Sequence, residues 1–327
     1  MVIRIAVLAL SVFLVARPTF AQTEPFRERQ ELDPDSNDWV AREAATQPVE
    51  RTELDEARRL LAEGKPGDAR KLLEAWLTAH RDDERSVEAH ALMGDALFEL
   101  GDFYAAYESY ERAAEAGSGD LFYRALSREM DVARAFLSGQ KRRFWGIFRI
   151  AAYDDGIKIL DRVWERVPGT RMGEQALRLK ADYFFGNGDM DLAQDEYAGL
   201  AREYPSGRYI QMALLRSAES ADASYPGVGF NDQPLVEADE RYKQLQDAFP
   251  IYADRQRIDE RREGIRRQRA DADLSIAKWY EHVKQRGAAE FYYRRILKDW
   301  PDTLAAAEAR SRLRALGVEV EQQESGK

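Results

Sequence analysis

The chain has 327 residues, of which 44% are hydrophobic, a formal net charge of −10 and no cysteine. That is enough apolar material to bury a core, which excludes an intrinsically disordered chain. The acidic balance argues against non-specific nucleic-acid binding, which draws on a basic face, and the missing thiols exclude disulfides, thiolate metal ligands and a Cys nucleophile.

Met1 to Ala21 sets Arg4 ahead of the apolar run Ile5 to Ala16 and closes on Thr19, Phe20 and Ala21. This is the layout of a secretory signal peptide. The run is about a dozen residues, short of the ~20 that span a bilayer as a helix, so an uncleaved anchor is the second reading. Residues 22–52 are polar, hold Pro25, Pro34 and Pro48, and read as a flexible linker. From 53 to 317 the chain is helix-patterned, with Gly and Pro gathered at intervals. Residues 318–327 form a short polar tail that is expected to fray.

The intervals carry the information. Gly94, Leu97, Gly101, Ala106, Tyr110 and Ala113 stand at the spacing of a 34-residue tetratricopeptide repeat. Two antiparallel helices approach closely only where each offers a small residue, here Gly94 and Ala106, while Leu97 and Tyr110 fill the space beside the crossing. The second helix has its own signature: a small residue, a large apolar one four later, an apolar or small one three after that, then Pro five further on. It recurs as Gly156-Leu160-Val163-Pro168, Ala193-Tyr197-Leu200-Pro205, Ala238-Tyr242-Leu245-Pro250 and Ala289-Tyr293-Ile296-Pro301. Ala69-Leu73-Trp76 and Ala106-Tyr110-Ala113 keep the helix part without the Pro. The fold class that follows is all-α, a right-handed superhelix of about five to six degenerate tetratricopeptide repeats, with insertions before the third, fifth and sixth.

The last repeat, Leu274 to Thr303, with Trp279, Tyr280, Tyr293 and Trp300-Pro301, resembles the C-terminal repeat of the BamD family of outer-membrane protein assembly factors. Tyr204-Pro205 and Phe249-Pro250 are similar to that family's helix ends. The resemblance implies a non-enzymatic periplasmic scaffold that contacts a barrel-forming subunit and receives unfolded outer-membrane proteins. Members carry lipid on an N-terminal Cys, and this sequence has no Cys, so the expectation is an exported protein in the periplasm or on the periplasmic face of the outer membrane, without that lipid anchor. A periplasmic repeat adaptor for cell-wall or envelope complexes is the alternative, which needs only the repeats.

No cofactor is expected, since phosphate-cradling Gly loops, metal motifs and nucleophile elbows are missing from the sequence. If first helices line the inner face of the array, Arg58, Asp95, Phe98 and Phe185 point inward as partner-binding candidates. Lys141, Arg142, Arg143, Phe144 and Trp145 open a basic, aromatic insertion that runs to Ile150. It reads either as a membrane or partner patch, or as a helix that buries Phe144, Ile147, Phe148 and Ile150. Arg255 to Arg269 mixes both signs at helical spacing and reads as an ion-paired solvent face. N-terminal sequencing of the mature protein is expected to start near Gln22; an intact Met1 in a membrane fraction would establish the anchor instead.

Overall fold

Thr52 opens the first helix with a reciprocal cap: its hydroxyl accepts from the Asp55 amide at 3.3 Å, and the Asp55 carboxylate accepts from the Thr52 amide at 3.0 Å. From there a computed structural model describes residues 52–144, 148–228 and 231–319, together with the strands at 30–32 and 39–41. The helices follow as antiparallel pairs. They are α1 (Glu53–Ala62) with α2 (Pro66–Ala79), α3 (Ser86–Glu99) with α4 (Phe103–Ala116), and α5 (Gly119–Leu137) with α6 (Tyr153–Arg166). Next come α7 (Arg171–Asn187) with α8 (Met190–Glu203) and α9 (Ile210–Ala223) with α10 (Gln233–Ala248). After the short α11 (Pro250–Arg255), α12 (Ile258–His282) pairs with α13 (Arg286–Asp299), and α14 (Leu304–Ala315) closes the array. The fold is an all-α superhelix of six degenerate tetratricopeptide repeats.

Every second helix is held in the same way. Ala69, Ala106, Ala193, Ala238 and Ala289 are wholly buried, and Gly156 is buried in their place in the third repeat. Four residues on, Leu73, Tyr110, Leu160, Tyr197, Tyr242 and Tyr293 fill the core. Three further, Trp76, Ala113, Val163, Leu200, Leu245 and Ile296 do the same. Arg166, Glu203, Ala248 and Asp299 end their helices, and Pro168, Pro205, Pro250 and Pro301 stand just beyond, where the missing amide and fixed φ cannot extend the helix. Gly188 ends α7 at φ 86, a left-handed cap that a side chain would resist.

Apolar residues gather in four successive cores instead of one. The first joins α1, α2 and α3, and the second runs from α3 to α7. The third spans α7 to the start of α12, where Ile258 and Ile265 enter it, and the fourth takes Ala270, Leu274 and Ala277 of α12 with α13 and α14. α12 therefore belongs to two cores. This near-neighbour plan is how solenoids gain stability, each repeat being supported mainly by those beside it.

Three expectations change. Lys141–Phe144 (β3) and Phe148–Ala151 (β4) pair antiparallel, with Arg142 opposite Ile150 and Phe144 opposite Phe148, so the insertion is a hairpin and not a helix. Within residues 22–52, read as a linker, Gln30–Leu32 (β1) and Trp39–Ala41 (β2) pair antiparallel in a unit of their own. Val318, placed in the polar tail, packs on the last core, and its amide donates to the Leu313 carbonyl at 3.0 Å. The signal segment 1–21 and residues 320–327 lie outside the described residues.

The crossing gives a pair of substitutions of opposite sign. A Cβ on Gly94 falls on the Tyr110 ring, which the surrounding core holds in place, so Gly94→Ala is expected to lose about 1–3 kcal/mol to overpacking. Gly186 lies in α7 with open space around its Cβ position, so Gly186→Ala is expected to gain about 0.5–1 kcal/mol from helix propensity. Urea unfolding of both variants checks this; equal effects would contradict the crossing.

Candidate partner-binding face

A tyrosine buried at a crossing needs an acceptor for its hydroxyl, because an unpaired buried donor is costly. The first helices supply it. Tyr110 donates to Asp95 at 2.8 Å, Tyr197 to Asp182 at 2.7 Å and Tyr293 to Glu281 at 2.5 Å. In the fifth repeat the order is reversed, and Arg261 of α12 donates to the Tyr242 hydroxyl at 3.3 Å. Burial raises each of these phenols, most strongly at Tyr110, where the Asp95 carboxylate adds to it; Tyr242 is pushed up to about 12. All stay neutral donors at neutral pH.

Carboxylates of the first helices, the pinned Asp95 among them, form rungs between successive first helices. Arg128 of α5 reaches Asp95 of α3 at 3.1 Å, and Arg261 of α12 reaches Glu219 of α9 at 2.9 Å. Arg58 of α1 pairs with both Asp55 and Glu88 of α3. Between α7 and α9 the rung is a cation on a ring: the Arg216 guanidinium lies 4.4 Å from the centroid of Phe185, which itself meets Tyr197 edge-on at 6.2 Å.

Of the four inward-facing candidates, the structure brings Asp95 and Phe98 together in one cleft of about 250 Å³, lined also by Leu61, Ala62, Glu99 and Arg128. Phe98 packs edge-on to Phe103 at 5.1 Å, which gives the cleft an apolar floor under a charged rim. Arg58 stands apart as a surface ion pair, and Phe185 belongs to the next stretch of the face. The sequence reading missed Arg128, Arg216 and Glu219. One readable signal existed, since Asp95–Tyr110 and Asp182–Tyr197 share the same separation, with an acid on the first helix and Tyr at the fixed second-helix position.

In the hairpin, Lys141 is exposed, and Arg142 lies 5.3 Å from the Tyr104 ring and 3.2 Å from the Asp155 carboxylate. The side chains of Arg143 and Phe144, and Trp145 as a whole, lie outside the described residues. The Arg255–Arg269 run pairs both within itself, as Arg257 with Glu260 and Arg267 with Glu263, and beyond α12: Arg262 with Asp239 at 2.7 Å, Arg269 with Asp232 at 2.9 Å, and Arg261 with Glu219. Among the described residues no three His, Asp or Glu side chains gather where they could hold a metal ion. On this face Asp95, Asp182 and Glu281 are each engaged with a tyrosine and an arginine.

No family model and no curated protein matches the chain. Among solved structures it is similar to the C-terminal part of a TPR repeat-containing protein from Cytophaga hutchinsonii, at 14% identity over 79% of this chain and 86% of that one, with a TM-score of 0.37. MamA from Desulfovibrio magneticus RS-1 is 15% identical over 60% and 92%, with a TM-score of 0.33. PilW, a type IV pilus biogenesis factor, is 14% identical over 79% and 96%, with a TM-score of 0.30.

The most perturbed acid lies behind the face, in the core joining the second and third repeats. Glu129 of α5 has no exposed surface; one of its oxygens sits 3.3 Å from Arg166 and the other has no partner. Burial, with Glu111 beside it, pushes its carboxyl up to about 8 against the pull of Arg166 and Arg162. An acid raised in the fold binds its proton more tightly there than in the unfolded chain. Its cost to stability is therefore absent below about 4.5, grows as pH rises towards 8 and levels off above. Glu129→Gln is expected to gain on the parent progressively across that window in denaturant unfolding, and parallel pH profiles would contradict the assignment.

Proposed function

We propose that this chain is a non-enzymatic scaffold of outer-membrane β-barrel assembly, working in the manner of BamD on the periplasmic side of the outer membrane. The observation that carries the reading is the first-helix face, where charged rungs border the cleft that Phe98 lines. Such a face suits an extended segment: backbone groups of the client meet the rim, and one of its apolar side chains fills the cleft. The resemblance of the final repeat to the BamD family and the signal-like residues 1–21 support the assembly role and the compartment. In this reading the partners are the barrel-forming subunit and unfolded outer-membrane proteins, with no cofactor.

Affinity capture of the full chain from detergent-solubilised envelopes is expected to recover a barrel-assembly subunit. Glu99→Lys combined with Arg128→Glu reverses the rim at exposed or half-exposed positions. The double variant is expected to lose at least about tenfold in affinity for an unfolded outer-membrane protein, and Glu99→Lys alone, which leaves the Arg128–Asp95 pair in place, is expected to weaken binding with unfolding stability changed by only about 0.5 kcal/mol. Recovery of cell-wall or division proteins alone would replace this reading with the envelope-adaptor one.

A further inference from the structure

α12 is 25 residues long, whereas the other first helices run from 10 to 19. Its first half is covered by α10. Ile258 and Ile265 share a core with Tyr242 and Leu245, Arg262 pairs with Asp239, and Arg269 pairs with Asp232. Asp232 immediately precedes α10, so that helix ends its cover at Arg269. The covered stripe does not stop there. Seven residues are two helical turns, so Ile258 and Ile265 lead to Ala272 and Trp279 on the same side of α12, and Arg262 and Arg269 lead to Ile276 and Val283.

Ala272 is buried and Ile276 half-buried, and beyond them the continuation is apolar and bare among the described residues. Trp279 is 56% exposed and Val283 39%, and Phe291 on the neighbouring α13 is 61% exposed. Four rings join them into one ribbon: Trp279 meets Tyr280 at 4.9 Å, Tyr280 stacks on Tyr292 at 5.4 Å, and Tyr292 meets Phe291 at 5.4 Å. Large aromatics gathered on an exposed face are the usual anchors of a protein interface.

We propose that the second half of α12, with Phe291 of α13, is a docking site for an amphipathic α-helix of a partner protein, laid along the line that α10 follows upstream. The uncovered stripe from Ile276 to Val283 is about 10 Å long, which matches two helical turns. A helix is the occupant because this surface continues one that a helix already covers, with the same side of α12 facing it. Lys284, exposed beside Val283, makes no ion pair among the described residues, so the end of the docked helix that reaches it is matched by a carboxylate. A second copy of the chain would bring its own net charge of −10 to the contact, which disfavours self-pairing. The net charge of −10 disfavours an anionic bilayer as the alternative. The site lies away from the α3 cleft at Asp95 and Phe98 and does not depend on the assembly role.

The test places a photo-crosslinking benzoyl-phenylalanine at Trp279 or Phe291 in the full chain, in the cells that make it, with Tyr123, also exposed, as control position. Crosslinked residues are mapped by mass spectrometry. Both positions are expected to reach one segment of another protein that carries apolar residues at helical spacing and a carboxylate at one end. A synthetic peptide of that segment should bind the full chain, with Kd raised at least about tenfold by Trp279→Ala or Phe291→Ala. Glu99→Lys, in the α3 cleft, should leave that Kd unchanged. Crosslinks to lipid or to a second copy, a mapped segment without helical spacing, or yields no higher than at Tyr123 would overturn the proposal.

Discussion

The close approach of two helices at a side chain no larger than a methyl group governs the rest of this molecule. With Ala106 or Ala193 at the crossing, the aromatic ring four residues on is pressed into the core with its hydroxyl directed at the partner helix. That hydroxyl cannot reach bulk water, so an acid on the first helix must receive it. The acid, once fixed, attracts a guanidinium: Arg128 at Asp95, Arg178 at Asp182 and Arg312 at Glu281. Packing chosen for closeness thus orders a row of charges on the surface. The charged face is a consequence of how the repeats are held.

This also explains why the repeats could be read from the sequence while much of the face could not. Small residues at crossings and Pro beyond helix ends are dictated within one helix pair, so Ala193-Tyr197-Leu200-Pro205 announces itself. The rungs join different repeats, and nothing local to Arg128 says that its partner lies on α3. The Arg255–Arg269 run has the spacing of pairs within one helix, yet Arg262 and Arg269 are taken by Asp239 and Asp232 before and within α10. Here tertiary geometry outcompetes the weak pairing of neighbours on a helix.

The hairpin was missed for a different reason. Phe144, Ile147, Phe148 and Ile150 fit one helical face by spacing, but Phe144, Phe148 and Ile150 also fit a strand period of two, and a short apolar run does not choose between them. What separates them is Arg142. Its side chain reaches the Tyr104 ring of α4 and the Asp155 carboxylate of α6, and the strand pairing carries the chain from α5 to α6. The polar contact at the base of the hairpin therefore decides a choice that apolar spacing leaves open.

The length of α12 has a similar origin and a larger effect. Nothing between Ile258 and His282 breaks a helix apart from the tolerated Gly264, so the chain continues through two cores without a turn. A shorter helix would let the sixth repeat stack squarely on the fifth. A continuous one shifts the last core along its own axis, from Ile265 to Ala270 and beyond, by the length of the extra turns. α10 has the ordinary length of a second helix and cannot follow. An uncovered flank is then unavoidable on the side where α10 ends, and the sequence has filled that flank with Trp279 and Val283 instead of the charged residues that a permanently solvated surface would carry.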